Sequence, residues 1–385
     1  MQTGTSLFAN KNVDKQRVTG PHPCALRPAA AVDFPPKKRG RALTVAPRPC
    51  MSPSPVLLSN TPPEVVAALL ACVLVLTCVL LRRKRGPNKW IDTHVHLWSE
   101  DSLPPWLSDP ALAEIAVTQT PADHAAAAGP ELAWGIYMEV DVAPEKREEE
   151  AKLASTLAMN PRNSIAGAVI GAPIVDGTVA EFEAYARRWA SKAAIKGVRQ
   201  VLHTQPTGTC LRAEVVEKAK LCGELDLVFE LCMRCDELTD AAMLASRAPK
   251  TRFVVDHCGG HHQLTGQPSD DERKKKWEAG IAALARLPNV WCKLSGLLGA
   301  QGGAKGKGGG AASRWTTEAQ LKTMRVCLQT FSPTRLVVGG DWPVCTLTAP
   351  LSSYVRCVHE LLEEVADVAA RAKILRTNAE EVYRI

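Results

Sequence analysis

Two histidines one residue apart, His94 and His96, lie near the end of a short apolar run, Trp90–Leu97. Imidazoles at i and i+2 of a strand project to one side, where they chelate one metal ion or grip one anionic group. A lone H-x-H pair is weak evidence, because histidine is often a satisfied core or surface residue. Other ionisable residues in the same chain give it weight. His257 ends Phe-Val-Val-Asp-His, and Asp341 ends Leu-Val-Val-Gly-Gly-Asp. Glu139, Arg199, His203, Glu230, Lys293 and Ser295 stand at or just past the ends of four further apolar runs. For any single one, a structural ion pair is an equally good reading. As a set, they describe a polar pocket at one end of a sheet.

The elements that would position these side chains recur at a regular spacing. Strands are predicted at Trp90–Leu97, Ala133–Val140, Ser164–Ala172, Ile195–Leu202, Leu225–Cys232, Arg252–His257, Asn289–Ser295 and Leu336–Asp341. Helical patterns separate them, at Pro144–Met159, Val179–Lys192, Arg212–Cys222, Asp236–Ser246, Arg273–Leu287, Thr317–Thr330 and Leu351–Val365, with Asp236 and Thr316 as candidate helix starts. Eight strand-then-helix units predict an α/β fold, a (β/α)8 TIM barrel. No Gly-rich phosphate loop follows the first strand, which counts against an open doubly wound sheet.

Strict alternation then assigns the inward faces. Asp92, His94 and His96 share one parity, against Ile91, Thr93, Val95 and Leu97. Tyr137 pairs with Glu139, Arg199 with His203, Glu230 with Cys232, and Lys293 with Ser295. Phe253 and Val255 lie below His257, and Val337 and Gly339 below Asp341.

The remaining features set limits on partners. With 46% hydrophobic and 23% charged residues in a chain of 385, the composition is that of a globular protein rather than a disordered or multi-span one. The net charge of +7 is uneven: residues 1–90 hold 14 basic and 3 acidic residues, the other 295 hold 33 and 37. The basic excess belongs to the leader, so nucleic acid is disfavoured as a partner. Thirteen scattered cysteines suit free thiols in a reducing compartment. Cys232-Met-Arg-Cys235 has knuckle spacing but no second pair, so it too reads as free thiols.

Residues 1–64 read as a disordered or targeting leader. Residues 65–81 are apolar except for Thr77 and long enough for a short transmembrane helix. The basic linker 82–89 follows, and the positive-inside rule places the barrel on the cytoplasmic side of a single-pass membrane protein. Organelle targeting stays open, since residues 1–50 are Arg-rich and acid-poor, and Met51 is an in-frame candidate start. Gly299–Ser313 is a low-complexity insertion within the barrel unit 90–385.

Five motifs carry a resemblance. Ile91–Trp98 (IDTHVHLW), Lys196-Gly-Val-Arg199, Val255-Asp-His-Cys-Gly259, Lys293-Leu-Ser-Gly296 and Arg335–Val344 (RLVVGGDWPV) occur in that order. Together they resemble the amidohydrolase-related family, in its lactonase-like branch, over about residues 90–385. The resemblance implies a hydrolase with His94, His96, His257 and Asp341 in its active site and Asp341 as general base. A carboxylate beside cationic or metal-bound groups stays ionised and takes a proton from water. The histidines, with no metal or with one zinc or manganese ion held by His94, His96 and Asp341, would polarise a carbonyl. Arg199 and Lys293 suit a substrate carboxylate or sugar hydroxyls, with His203, Glu139, Glu230 and Ser295 as further substrate contacts. The chain departs from the family pattern at Gly340, where Ser is common, and at Gly260-His261-His262, where Lys-Pro is common.

The reading is therefore a membrane-anchored lactonase acting on a small sugar or carboxylated lactone. A metal-dependent non-oxidative decarboxylase and a non-catalytic tethered binding barrel are the alternatives. The sequence assigns no oligomeric state.

Overall fold

The computed structural model describes residues 89–264, 270–296 and 317–385. The leader, the apolar run 65–81, residues 82–88 of the basic linker and the insertion 299–313 lie outside the described residues. No helix among the described residues is long and apolar enough to cross a membrane.

Eight parallel strands follow one another in chain order: β1 (Trp90–Val95), β2 (Leu132–Met138), β3 (Ile165–Gly171), β4 (Ile195–Arg199), β5 (Val228–Leu231), β6 (Arg252–Val255), β7 (Val290–Leu294) and β8 (Leu336–Val338). The ring closes between β8 and β1. Thr93 Oγ1 donates to the Val338 carbonyl at 2.9 Å, and the Asp341 and His96 amides donate to the carbonyls of His94 and Trp342 at 2.9 and 2.8 Å. The resulting architecture is the (β/α)8 barrel.

A helix follows each strand: α1 (Pro121–Ala128), α2 (Arg147–Met159), α3 (Val179–Ala190), α4 (Ala213–Glu224), α5 (Leu238–Arg247), α6 (Asp271–Ala285), α7 (Thr317–Phe331) and α8 (Leu351–Val365). Helix α8 shows why they pack. Leu351, Tyr354, Val358, Leu361 and Leu362 recur at helical spacing and are all buried. Each such side chain contributes about 1.5–3 kcal/mol on burial. Helix α1 has no counterpart among the expected helices. Its start is written in Thr120-Pro121-Ala122-Asp123, a capping box in which Thr120 and Asp123 satisfy each other's backbone amides. The expected start of α5 at Asp236 is corrected: the helix begins at Leu238 after Glu237, with no side-chain cap.

The core has two parts. One lies between the strands and the helices. The other fills the lower barrel with Ile91, Ile136, Met138, Val169, Val228, Val254, Trp291 and Val337, closed by Ala379, Val382 and Tyr383 of the helix Asn378–Tyr383. These inner residues overturn three of the expected faces.

On β1, Ile91 points in, and Asp92 points out to His124 of α1, Oδ2 to Nε2 3.0 Å. A register shift between Asp92 and Val95 resets the alternation, so His94 and His96 still enter the barrel. On β2, Ile136 and Met138 point in, and Tyr137 points out to Glu150 of α2. On β6, Val254 points in, while Phe253 and Val255 join the outer core. Asp256, not His257, continues the inward face.

Candidate active site

Above the apolar floor, the strand ends carry ionisable side chains in place of the usual Val, Ile and Leu of a barrel interior. His94, His96 and Asp341 form its centre. Asp341 Oδ1 lies 3.6 Å from His94 Nε2 and 3.4 Å from His96 Nε2, and the two Nε2 atoms are 3.2 Å apart. All three residues are buried. The backbone of Asp341 is left-handed (φ 59°), which turns its carboxylate back over the barrel from just beyond β8.

The second nitrogens of the two rings are committed. His96 Nδ1 lies 3.1 Å from the Met138 carbonyl, which only accepts, so His96 carries its proton there. His94 Nδ1 faces the Asp256 carboxylate at 3.5 Å, while Nε2 faces Arg199 Nη1, a pure donor, at 3.3 Å. His96 Nε2 thus turns a bare lone pair to Asp341, and the single lone pair of His94 Nε2 goes either to Arg199 or to a cation shared with His96 and Asp341. Such a set calls for a cation. Tetrahedral zinc with ligands about 2.0–2.1 Å away has ligand–ligand edges of roughly 3.3 Å, close to the three separations found. The donor set fits one divalent ion held by His94, His96 and Asp341.

His257 lies beside this centre, its ring centroid 4.6 Å from that of His94. A tight turn carries it, with positive φ at His257, Cys258, Gly259 and Gly260. Ser295, past the end of β7, accepts from the His257 amide at 3.1 Å and bonds His257 Nδ1 at 3.0 Å. A Ser295 hydroxyl that donates to Nδ1 places the proton of neutral His257 on Nε2. Gly296 makes room for the ring: a Cβ there would lie 2.5 Å from Nδ1. Burial lowers the pKa of His257, and also that of His262, whose ring stands 5.5 Å away and is pushed down to about 3.

Beneath the histidines runs a chain of buried charges. Arg199 donates to Glu139 Oε1 at 2.6 Å, to the Glu139 carbonyl at 2.9 Å and to Asp256 Oδ2 at 3.1 Å. Lys293, fully buried, sits 3.0 Å from Asp256 Oδ1 and 2.9 Å from Glu230 Oε2. Tyr383 donates to Glu230 Oε1 and ties the floor helix to the network. Burial pushes Glu230 up to about 8 against the pull of Lys293. Burial also acts to raise Asp256, but Lys293 and then His94 outweigh it and hold its carboxyl well below the usual range. Desolvation, then Lys293, lowers His94 well below an ordinary imidazole. For Asp341, burial is the largest influence and raises, and the histidines, His257 first, together reverse it and keep it ionised.

Nine of the ten expected residues thus meet in one constellation. The tenth, His203, stands past β4 on an exposed stretch with Nδ1 3.4 Å from Cys232 Sγ, and burial first, then nearby His257 and Arg199, push its pKa down to about 4. The nine described cysteines are free and buried. Asp256, Tyr383 and Glu150 were missed. Asp256 sits inside the Val-Asp-His motif, and the opposite parity on β6, with Val254 inward, is what turns it into the barrel.

Comparison with known proteins follows the same boundaries. The amidohydrolase family model matches residues 91–385. An L-fucono-1,5-lactonase from Burkholderia ambifaria is 27% identical over 307 residues, covering 77% of this chain and 95% of that protein. One from Burkholderia multivorans is 29% identical over 164 residues, covering 42% of this chain and about half (52%) of its own length. Among solved structures, an amidohydrolase from Burkholderia multivorans, crystallised with HEPES and in another form with zinc, superposes with TM-scores of 0.65 and 0.64 at 24% and 23% identity. In both forms the alignment covers 77% of this chain and 99% of that one. At that identity the likeness speaks for the fold alone. With its model spanning the whole barrel and the inward H-x-H, His and Asp in place, the chain belongs to the amidohydrolase family.

Proposed function

We propose that the protein hydrolyses a small, uncharged sugar lactone, with Asp341 as the general base. The observation that carries the reading is Asp341 facing both His94 and His96 at the top of the barrel. Oδ1 is turned to the two rings, which leaves Oδ2 for a water. As that water attacks the lactone carbonyl carbon, its proton passes to the Asp341 carboxylate. The carbonyl oxygen gains the negative charge, and the Nε2–H of His257 is placed to donate to it. Collapse breaks the ring C–O bond, and the proton on Asp341 passes to the leaving alkoxide, giving the open hydroxy acid. A divalent ion, zinc or manganese, held by His94, His96 and Asp341 would act as a Lewis acid on water and carbonyl.

The charge network argues for the uncharged substrate. Arg199 and Lys293 are each enclosed by carboxylates. Among the described residues of the site, neither cation is left for a substrate carboxylate. In this reading both hold the floor, while Ser295 acts through His257 and Glu139 through Arg199. The L-fucono-1,5-lactonase relatives support a sugar lactone over a dicarboxylated one.

The run 65–81 and the basic residues after it support a single anchor with the barrel on the cytoplasmic side. A protease-protection assay on sealed membranes tests this: a barrel shielded inside intact vesicles of opposite orientation would reverse it.

The test of activity is proton release from a panel of lactones, run with the parent and with Asp341→Asn. Turnover of neutral aldonolactones, lost in the variant, is expected. Faster turnover of a dicarboxylated pyrone would overturn the substrate class, and carbon dioxide release from an aromatic acid would move the protein to the decarboxylases.

A further inference from the structure

His94 has two ring nitrogens, and its surroundings decide which keeps the proton. On the Nδ1 side stands Asp256, whose carboxylate is buried at the end of β6. Its Oδ2 accepts from Arg199, and its Oδ1, the atom nearest His94, is ion-paired with Lys293 at 3.0 Å and keeps a further lone pair. A buried carboxylate oxygen with spare lone pairs is costly unless a donor turns to it. The nearest ring nitrogen is His94 Nδ1, at 3.5 Å.

Lys293 Nζ is the one competitor, also 3.5 Å from Nδ1 and a donor only. It would impose the opposite tautomer, yet it has two closer acceptors, Glu230 Oε2 at 2.9 Å and Asp256 Oδ1 at 3.0 Å. On the far side of the ring, Arg199 Nη1 can only donate to Nε2. An acceptor beside Nδ1 and a donor beside Nε2 select the same form.

We propose that Asp256 is a positioning residue: it accepts the Nδ1–H of His94 and so presents the Nε2 lone pair toward His96 and Asp341. His96 is held by a neutral carbonyl, His94 by a charged carboxylate. A carboxylate partner raises the basicity of a ligating imidazole above what the same ring would have without it. The inference rests on reading His94, His96 and Asp341 as the cation site.

The experiment uses the full chain, labelled with 15N-histidine and freed of metal, with His94 assigned by its loss in His94→Gln. Long-range 15N–1H correlations report the tautomer of His94. The parent is expected in the Nδ1–H form, Asp256→Ala in a mixed or Nε2–H form, and Asp256→Asn, which keeps an acceptor oxygen, in the parental form. Zinc affinity, read by competition with a chromophoric chelator, is expected to fall about 10–100-fold in Asp256→Ala and less in Asp256→Asn. A parent in the Nε2–H form overturns the proposal without any variant having to fold. So does a folded Asp256→Ala that keeps both the tautomer and the zinc affinity. Tautomer control by Asp256 with no zinc binding in the parent would support the proposal and overturn the cation reading.

Discussion

His94 Nε2 and His96 Nε2 face each other at 3.2 Å, each ring having its other nitrogen committed to a partner. Two lone pairs at that distance repel unless something positive lies between them. The expected finding is about one zinc or manganese per chain in protein purified without chelator, measured by elemental analysis. Chelation should abolish lactone turnover, and added metal should restore it. His96→Ala should weaken metal binding by at least about 10-fold. Undiminished turnover by fully stripped protein would show that protons, not a metal, relieve the opposed lone pairs.

Asp341→Asn separates chemistry from folding. The left-handed backbone at Asp341 suits asparagine as well as aspartate, so the melting temperature should move little. The amide cannot accept the proton of water, and kcat should fall about 10²–10⁴-fold. A loss confined to KM would mean that Asp341 binds substrate without acting as base.

How much of this was legible in the sequence depended on where alternation held. The eight strands and the inward Glu230 and Lys293 follow from apolar runs and period-two spacing, whereas His94 and His96 enter the barrel through a register shift that the spacing does not carry. Tyr137 and Asp92 were sent inward wrongly, because alternation carries no information about a register shift or about where a strand stops. Asp256 was hidden by the face assignment on β6, where the inward set runs through Val254 and Asp256, one residue out of step with Phe253, Val255 and His257. Tyr383 lies far from β5 in the chain, and nothing local to it announces a hydrogen bond to Glu230.

Glu150 gives a pH signature outside the catalytic centre. It accepts from the Val140 amide and from Tyr137, leaving Oε2 buried and without a partner. Burial first, and then the nearby Glu139, push it from 4.5 up to about 8. A carboxyl raised on folding binds its proton more tightly in the folded state. Its contribution to stability is full below the unfolded value and is lost as pH rises through about 8. Within that window the slope is at most about 1.4 kcal/mol per pH unit. Glu150→Gln keeps the acceptor oxygen and removes the titration. Urea midpoints at several pH values between 5 and 8.5 should fall less steeply for the variant than for the parent. Glu230 contributes the same sign in both proteins, so it cancels in the comparison. Parallel curves would mean that Glu150 is ionised throughout.

Gly339, directly before Gly340 and Asp341, tests how tightly His94 is seated. A Cβ at Gly339 would lie 2.7 Å from His94 Cβ and 3.2 Å from Lys293 Cδ and Ser295 Cβ. His94 has no direction of retreat, with Asp256 on one side of the ring and Arg199 and His96 on the other. Gly339→Ala should therefore cost about 1–3 kcal/mol of stability as an overpacked core position. It should also weaken metal binding, because the displaced ring is a ligand. Both are measurable on one sample, by urea denaturation of metal-free protein and by chelator competition. A variant that loses stability but keeps parental metal affinity would show that His94 yields at its backbone and recovers its place at the site.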